Sequence, residues 1–271
     1  MIFGVLGPVG IWSDDARAER LAEAQLSEHR TRGALAALLL RPNQYITQSA
    51  LADLLWDDPP PSARPNLRAH AARLRKALLA ADPREQRLKS LRRGGDWTGG
   101  AYLLVVRPLE VDADVFLRLL ARARGDALAG RHAEAVAGLR QALGLWRGEA
   151  GGTDVAGSTR LLAQLRSFND LRITAQEDLM AARLRLGEHR VLIPQIRSVL
   201  ADHPHREIAW SQLMYAYYRC GDMANALRTY QEAHTVLDRE LGVQPGDGLQ
   251  QLHHAMLNRD DDLVLRTLEM T

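Results

Sequence analysis

Arg64, Arg68, His70, Arg73, Arg75 and Lys76 recur at helical spacing within one short stretch, and Arg92 and Arg93 follow as a pair bounded by glycine. Guanidinium and ammonium groups at this density neutralise phosphates and release their counterions, and an arginine can read guanine through two parallel hydrogen bonds. Residues 62–95 carry ten basic side chains (those named, less His70, with Arg84, Arg87 and Lys89) against two acidic ones, Asp82 and Glu85. The local charge is thus +8 in a chain whose net charge is only +2, so a global statistic hides the field this segment creates. With so few acidic partners for helical salt bridges, the stretch reads as a phosphate-binding face more readily than as a merely solvated one.

Other residue types with chemical potential do not assemble into sites. Gly94, Gly95, Gly99 and Gly100 have the density of a phosphate loop, but no Gly-Lys-Ser/Thr follows and a hairpin turn accounts for them. His203 and His205 flank Pro204, and His253 adjoins His254, without the ligand spacing of a zinc site. Cys220 is the single cysteine, so it forms no internal disulfide; beside a helix turn it reads as a packed residue. Trp146, Trp210, Tyr215, Tyr217, Tyr218 and Tyr230 read as core, and the run Asp260, Asp261, Asp262 as a solvated turn or tail. No catalytic, metal or cofactor residue is expected, and the chain does not read as an enzyme. No apolar run nears the roughly 18 residues of a membrane span, and the start lacks the basic region of an export signal. The expectation is a cytoplasmic, nucleoid-associated protein with no membrane partner.

The basic residues need a helix to hold them. Ser62 is placed to cap it, and Pro65 is tolerated because it falls near the start. At about 100° per residue, Leu67, Ala71, Leu74 and Leu78 share a core-facing stripe, leaving Asn66, Ala69, His70, Arg73 and Lys76 opposite and Arg68 and Arg75 on a flank. Upstream, residues 2–12 read as short strands broken by glycine and proline, and residues 14–28 as an acidic, helix-forming run. A nearly all-apolar helix over residues 30–40 follows, stopped by Pro42 and Asn43. Next comes one capped by Thr47 or Ser49, ended by Pro59, Pro60 and Pro61. Residues 88–91 and 102–106 read as two strands around a basic tip.

From residue 111 onward the pattern is helix after helix. Trp210, Leu213 and Tyr217, then Gly221, Ala226, Tyr230 and Ala233, follow tetratricopeptide spacing, and Gly187 lies 34 residues before Gly221. Gly130 with Ala135, Leu139 and Ala142 gives a weaker copy. The fold class is therefore mainly α: an N-terminal winged helix-turn-helix of α+β type over residues 1–107, then an all-α tetratricopeptide-like repeat domain over residues 108–271.

Four stretches resemble the Streptomyces antibiotic regulatory protein family of transcriptional activators. They are FGVLGPVGI at residues 3–11, the helix-turn-helix at residues 35–78, LRQALGLWRG at residues 139–148, and LDRELGVQPGDGLQQLHHAML at residues 237–257. The second is also similar to OmpR-type response-regulator winged helices. One departure is Ala101 before Tyr102, where the family usually has glycine. The resemblance implies a winged helix that binds direct repeats in promoter DNA, and a bacterial transcriptional activator domain that supports a homodimer and contact with RNA polymerase holoenzyme, including its sigma factor. Position by position it implies DNA-facing roles for His70, Arg73 and Arg75, and for Arg64 near the helix start.

The expected function is a sequence-specific activator of a biosynthetic, antibiotic-type gene cluster. Arg73 would read base edges, Arg64, Arg68, His70, Arg75 and Lys76 would hold phosphates, and Arg92 and Arg93 would engage the minor groove or its backbone. Two alternatives are a protein–protein adaptor of the tetratricopeptide type and a ligand-sensing regulator.

Overall fold

A computed structural model describes residues 2–12, 16–91, 100–155 and 157–270. Contacts divide the chain into two compact units, Met1–Ala121 with Gln141–Ile173, and Arg122–Arg140 with Thr174–Thr271. The architecture is mainly α, with an N-terminal winged helix followed by helical hairpins.

The first unit opens with an antiparallel pair, β1 (Ile2–Gly4) and β2 (Gly10–Trp12), Phe3 opposite Ile11. Two buried carboxylates from far along the chain hold the loop between them. Asp112 accepts from the Val5 and Leu6 amides at 2.9 and 3.1 Å, and Asp154 from the Val9 amide at 2.9 Å. Both carboxylates are charge-balanced, Asp112 by Arg147 at 2.6 Å and Asp154 by Arg32 at 2.7 Å. A buried amide without an acceptor costs about 1–3 kcal/mol, so this short apolar loop depends on partners that no local pattern announces.

The helices expected next are α1 (Ala16–Gln25), α2 (His29–Leu39) and α3 (Gln48–Leu55). Thr47, and not Ser49, caps α3, its Oγ1 accepting from the Ala50 amide at 3.1 Å. After the proline run comes α4 (Ala63–Ala81), whose stripe of Leu67, Ala71, Leu74 and Leu78 is buried; the helix packs against α1 most extensively, and against α2, α3 and the first wing strand. Ser62 occupies the N-cap position of α4 but does not cap it; its hydroxyl accepts from Asn66 Nδ2 at 3.2 Å instead. The wing strands β4 (Leu88–Leu91) and β5 (Ala101–Leu104) pair antiparallel, and β3 (Ile46–Thr47), too short to register in the sequence, adds to the other side of β5. The second wing strand runs earlier than expected because its continuation is taken elsewhere. Val106 is held by Asn43, which accepts from its amide at 3.0 Å and donates to its carbonyl at 2.9 Å.

Three helices, α5 (Asp112–Leu128), α6 (His132–Leu143) and α7 (Thr159–Arg185), begin in one unit and end in the other; a 3-10 turn, Gly152–Val155, lies in the first. The second unit continues through α8 (His189–Asp202), α9 (Glu207–Arg219), α10 (Met223–Leu241), α11 (Asp247–Leu257) and α12 (Asp261–Met270). Its chain reversals use Gly187 and Gly221 at φ +84° and +77°, a region side chains disfavour. Its core gathers Leu192, Ile196, Trp210, Leu213, Met214, Ala226, Ala233 and Leu252. Ala226 and Ala233, fully buried, let α10 approach α9 closely. The acidic run expected as a turn or tail is instead a helix start, because Asp260 accepts from the Leu263 amide at 3.0 Å and opens α12. Among the described residues no helix is long and apolar enough to cross a membrane.

Candidate nucleic-acid interface

The buried side of α4 consists of Ala63, Leu67, His70, Ala71, Leu74, Ala77 and Leu78. At about 100° per residue the centre of the opposite side is Pro65, Ala72 and Lys76, with Ala69 and Leu79 beside them. All five are exposed. Exposed alanines on a basic helix leave room for the backbone to approach a groove floor, and their methyl groups suit contact with thymine methyls. Two flanks border this strip. Exposed Arg64 and Arg68 and half-buried Arg75 lie on one, and half-buried Arg73 lies on the other.

The flanks are anchored differently. Arg75 Nη2 donates to Ser90 Oγ on β4, tying α4 to the wing whose exposed Lys89 extends the positive surface. Arg73 Nη1 instead meets Glu28 Oε2 at 2.8 Å, the two side chains being 41% and 47% exposed. The expected wing tip, Arg92 and Arg93 included, lies outside the described residues.

His70, expected to face DNA, is only 7% exposed. Its Nδ1 lies 3.0 Å from Thr31 Oγ1, and its ring packs at 6.4 Å from that of Trp56. Burial, with the charges of Arg73 and Arg30, depresses the imidazole pKa below its ordinary value, and Glu28 opposes the shift only in part. A neutral, buried imidazole is a packing group that supports the helix from behind. It therefore leaves the set of phosphate-facing residues.

Arg87, one of the ten cations counted in residues 62–95, is 1% exposed. It pairs with Glu110 through both terminal nitrogens and with Asp82 at 3.3 Å, and its Nε lies 3.5 Å from Glu85. Burial pushes Glu110 up, but its bonds from Arg87 and from the Arg107 amide outweigh that and hold its pKa below the ordinary value. Arg87 and both acids of the stretch are thus gathered with Glu110 and Arg107 into one ion-pair cluster beside the wing. The exposed remainder of the segment is left almost purely basic. Two further residues escaped the sequence pattern. Glu28 is 45 positions from Arg73, and Arg30 lies with its guanidinium 5.1 Å from the Trp56 ring while donating to the Leu55 carbonyl at 2.8 Å.

Comparison with known proteins agrees with this arrangement. The family "Transcriptional regulatory protein, C terminal" matches residues 25–95, and "Bacterial transcriptional activator domain" matches residues 111–257. Regulatory protein DnrI of Streptomyces peucetius is 32% identical over 238 residues, covering 85% of each chain. Transcriptional regulator RedD of Streptomyces coelicolor is 34% identical over 259 residues, covering 94% of this chain and 70% of RedD. A solved structure, Mycobacterium tuberculosis EmbR in complex with a low affinity phosphopeptide, superposes with a TM-score of 0.83 at 26% identity, covering 99% of this chain and 68% of that one. With an OmpR-type winged helix carrying an exposed basic helix, and an activator domain behind it in sequence, the chain belongs to the Streptomyces antibiotic regulatory protein family of transcriptional regulators.

Proposed function

We propose that the protein activates a biosynthetic gene cluster by binding direct repeats at its promoters as a homodimer and bringing RNA polymerase holoenzyme, sigma factor included, to the site. The observation that carries this reading is the exposed strip of α4, with Ala69, Ala72 and Lys76 along its centre and arginines on both flanks. Such a strip fits a major groove: Arg64, Arg68, Arg75 and Lys76 hold phosphates and fix the register, and Arg73 reads a base edge. Arg92 and Arg93 keep the minor-groove role their sequence position suggests. His70 is dropped from the set because of its burial. Membership of the antibiotic regulatory protein family supports the choice of target genes, and the names of DnrI and RedD support a regulatory role.

Footprinting of the full chain across neighbouring promoters tests the proposal. Tandem protected repeats spaced by about one or two helical turns, with transcription by holoenzyme rising in the same templates, are the expected result. Protection without sequence preference, or preference without any rise in transcription, refutes the corresponding half.

A further inference from the structure

Glu28 is the N-cap residue of α2, and its backbone is fixed there by the Thr31 and Arg32 amides, which donate to its carbonyl at 3.0 and 3.1 Å. Its side chain makes no cap bond. It reaches instead into an open cleft of about 1010 Å³ on the flank of α4, where it is the one carboxylate among the described lining residues, which include His29, Arg30, His70 and Arg73. One oxygen, Oε2, lies 2.8 Å from Arg73 Nη1 and 3.8 Å from His70 Nδ1. A carboxylate on a fixed stretch of backbone thus faces the arginine at the edge of the groove-facing strip.

We infer that Glu28 is a specificity-determining residue acting through Arg73: its carboxylate occupies the guanidinium and repels DNA phosphates from it, while leaving it open to an uncharged base edge. The inference rests on the reading of α4 as the DNA-reading helix. A free arginine on that flank attracts any phosphate, which adds affinity without information. With Glu28 beside it, the phosphate meets a neutralised cation and a like charge. A guanine edge carries only partial charges, so it meets a much weaker repulsion than a phosphate does, and it offers two acceptors to the guanidinium. The pair is exposed and therefore easily exchanged, which makes Glu28 a filter and not a block. Glu28 is a positioning residue in this scheme; Arg73 makes the contact.

The test measures binding of the full chain to its footprinted operator and to a random duplex over a range of salt, for wild type, Glu28→Gln, Glu28→Asp, Arg73→Ala and the Glu28→Gln/Arg73→Ala pair. Glu28→Gln is expected to tighten random-duplex binding by up to about fivefold, the most an exposed pair supplies, and operator binding by less, so that the specificity ratio falls. Its salt slope steepens by about one phosphate equivalent. Glu28→Asp keeps the wild-type ratio, and Glu28→Gln has no effect once Arg73 is alanine. Equal shifts on both duplexes, or an effect that survives in the Arg73→Ala background, overturn the inference while leaving the DNA reading intact. A wild-type chain that retains neither duplex defeats the DNA reading and this inference with it. Should the glutamine variant fail to fold, Glu28→Ser, neutral and suited to an N-cap, reads the same quantities.

Discussion

Asp57, in the proline-bounded turn that leads into α4, accepts two hydrogen bonds from Thr159, one from its amide at 2.8 Å and one from its hydroxyl at 2.7 Å. Thr159 is the first residue of α7, so a side chain of the helix-turn-helix satisfies one of the amides that every helix start leaves unpaired. Ser158 completes the joint: its hydroxyl donates to the Leu54 carbonyl and accepts from the Leu161 amide at 3.2 Å. The hydroxyl of Thr159 and then its amide hold the Asp57 carboxyl below its ordinary pKa of 3.8. A depressed carboxyl stabilises the fold above its unfolded pKa and loses that contribution as pH falls through the folded value. Asp57→Asn is therefore expected to lower the first unit's melting temperature by a constant amount above about pH 4, with the gap to wild type closing at lower pH. Thermal melts of both proteins across that range check it; a gap that persists in acid refutes the role of the charge.

Asp112 is 1% exposed and carries three partners at once, the amides of Val5 and Leu6 and the guanidinium of Arg147. Asp112→Ala leaves two buried donors without an acceptor and the arginine without its counter-charge, a loss of about 3–5 kcal/mol. Urea unfolding is the measurement. The same reasoning applies to a chain cut after residue 107, which lacks Asp112, Asp154 and Ser158 together. It is expected to unfold below the first transition of the full chain, so DNA binding is best assayed on the full chain.

What was legible in the sequence was local. The stripe of Leu67, Ala71, Leu74 and Leu78, the cap at Thr47 and the turn glycines Gly187 and Gly221 each follow from neighbours within a few residues, where helix period and backbone sterics decide. His70 was misplaced because on the helical wheel it sits at the border of the buried side, and Trp56 and Thr31 cover it from other elements. Arg87 counts as one more cation until Glu110, 23 residues on, neutralises it. The bonds of Asp112 to Val5 and of Asp154 to Val9 span 107 and 145 residues. No period or spacing encodes such pairs. Even a local rule can fail locally, as at Ser62, where the third helical residue is Pro65 with no amide proton to donate, and the hydroxyl accepts from Asn66 instead.

The centre of the groove-facing strip can be located by size and by charge independently. Ala72 is exposed, so Ala72→Leu leaves stability nearly unchanged. If the strip enters a groove, the added bulk holds α4 away and weakens binding to operator and random duplex alike by about fivefold or more, an overpacking cost of about 1–3 kcal/mol. Lys76→Ala acts through phosphate alone. It is expected to weaken all sequences equally and to reduce the salt slope by about one. Full binding by Ala72→Leu would turn the strip away from DNA. Arg73→Ala differs from both: it costs about 1–3 kcal/mol on operator and little on random duplex, since its base contact carries the discrimination.

His70 gives a pH dependence of definite sign. Burial, then the charges of Arg73 and Arg30, lower its pKa from the ordinary 6.5, with Glu28 opposing. The folded state therefore binds its proton less readily than the unfolded chain does. Stability tied to this group is fully present above pH 6.5 and falls as pH drops toward the folded value, the reverse of a histidine that gains a carboxylate partner. His189 and His253 are shifted the same way in the second unit, so the melt of the whole chain blends three groups. The difference between wild type and His70→Gln isolates one. That variant retains a polar group to face Thr31 and removes the titration, so its first transition is expected to be less pH-dependent than wild type as pH falls below 6.5. The imidazole resonances of His70, followed by NMR, are expected to titrate below 6.5. A midpoint above that value would mean that Glu28 dominates the ring's surroundings, and acid would then strengthen the packing behind α4.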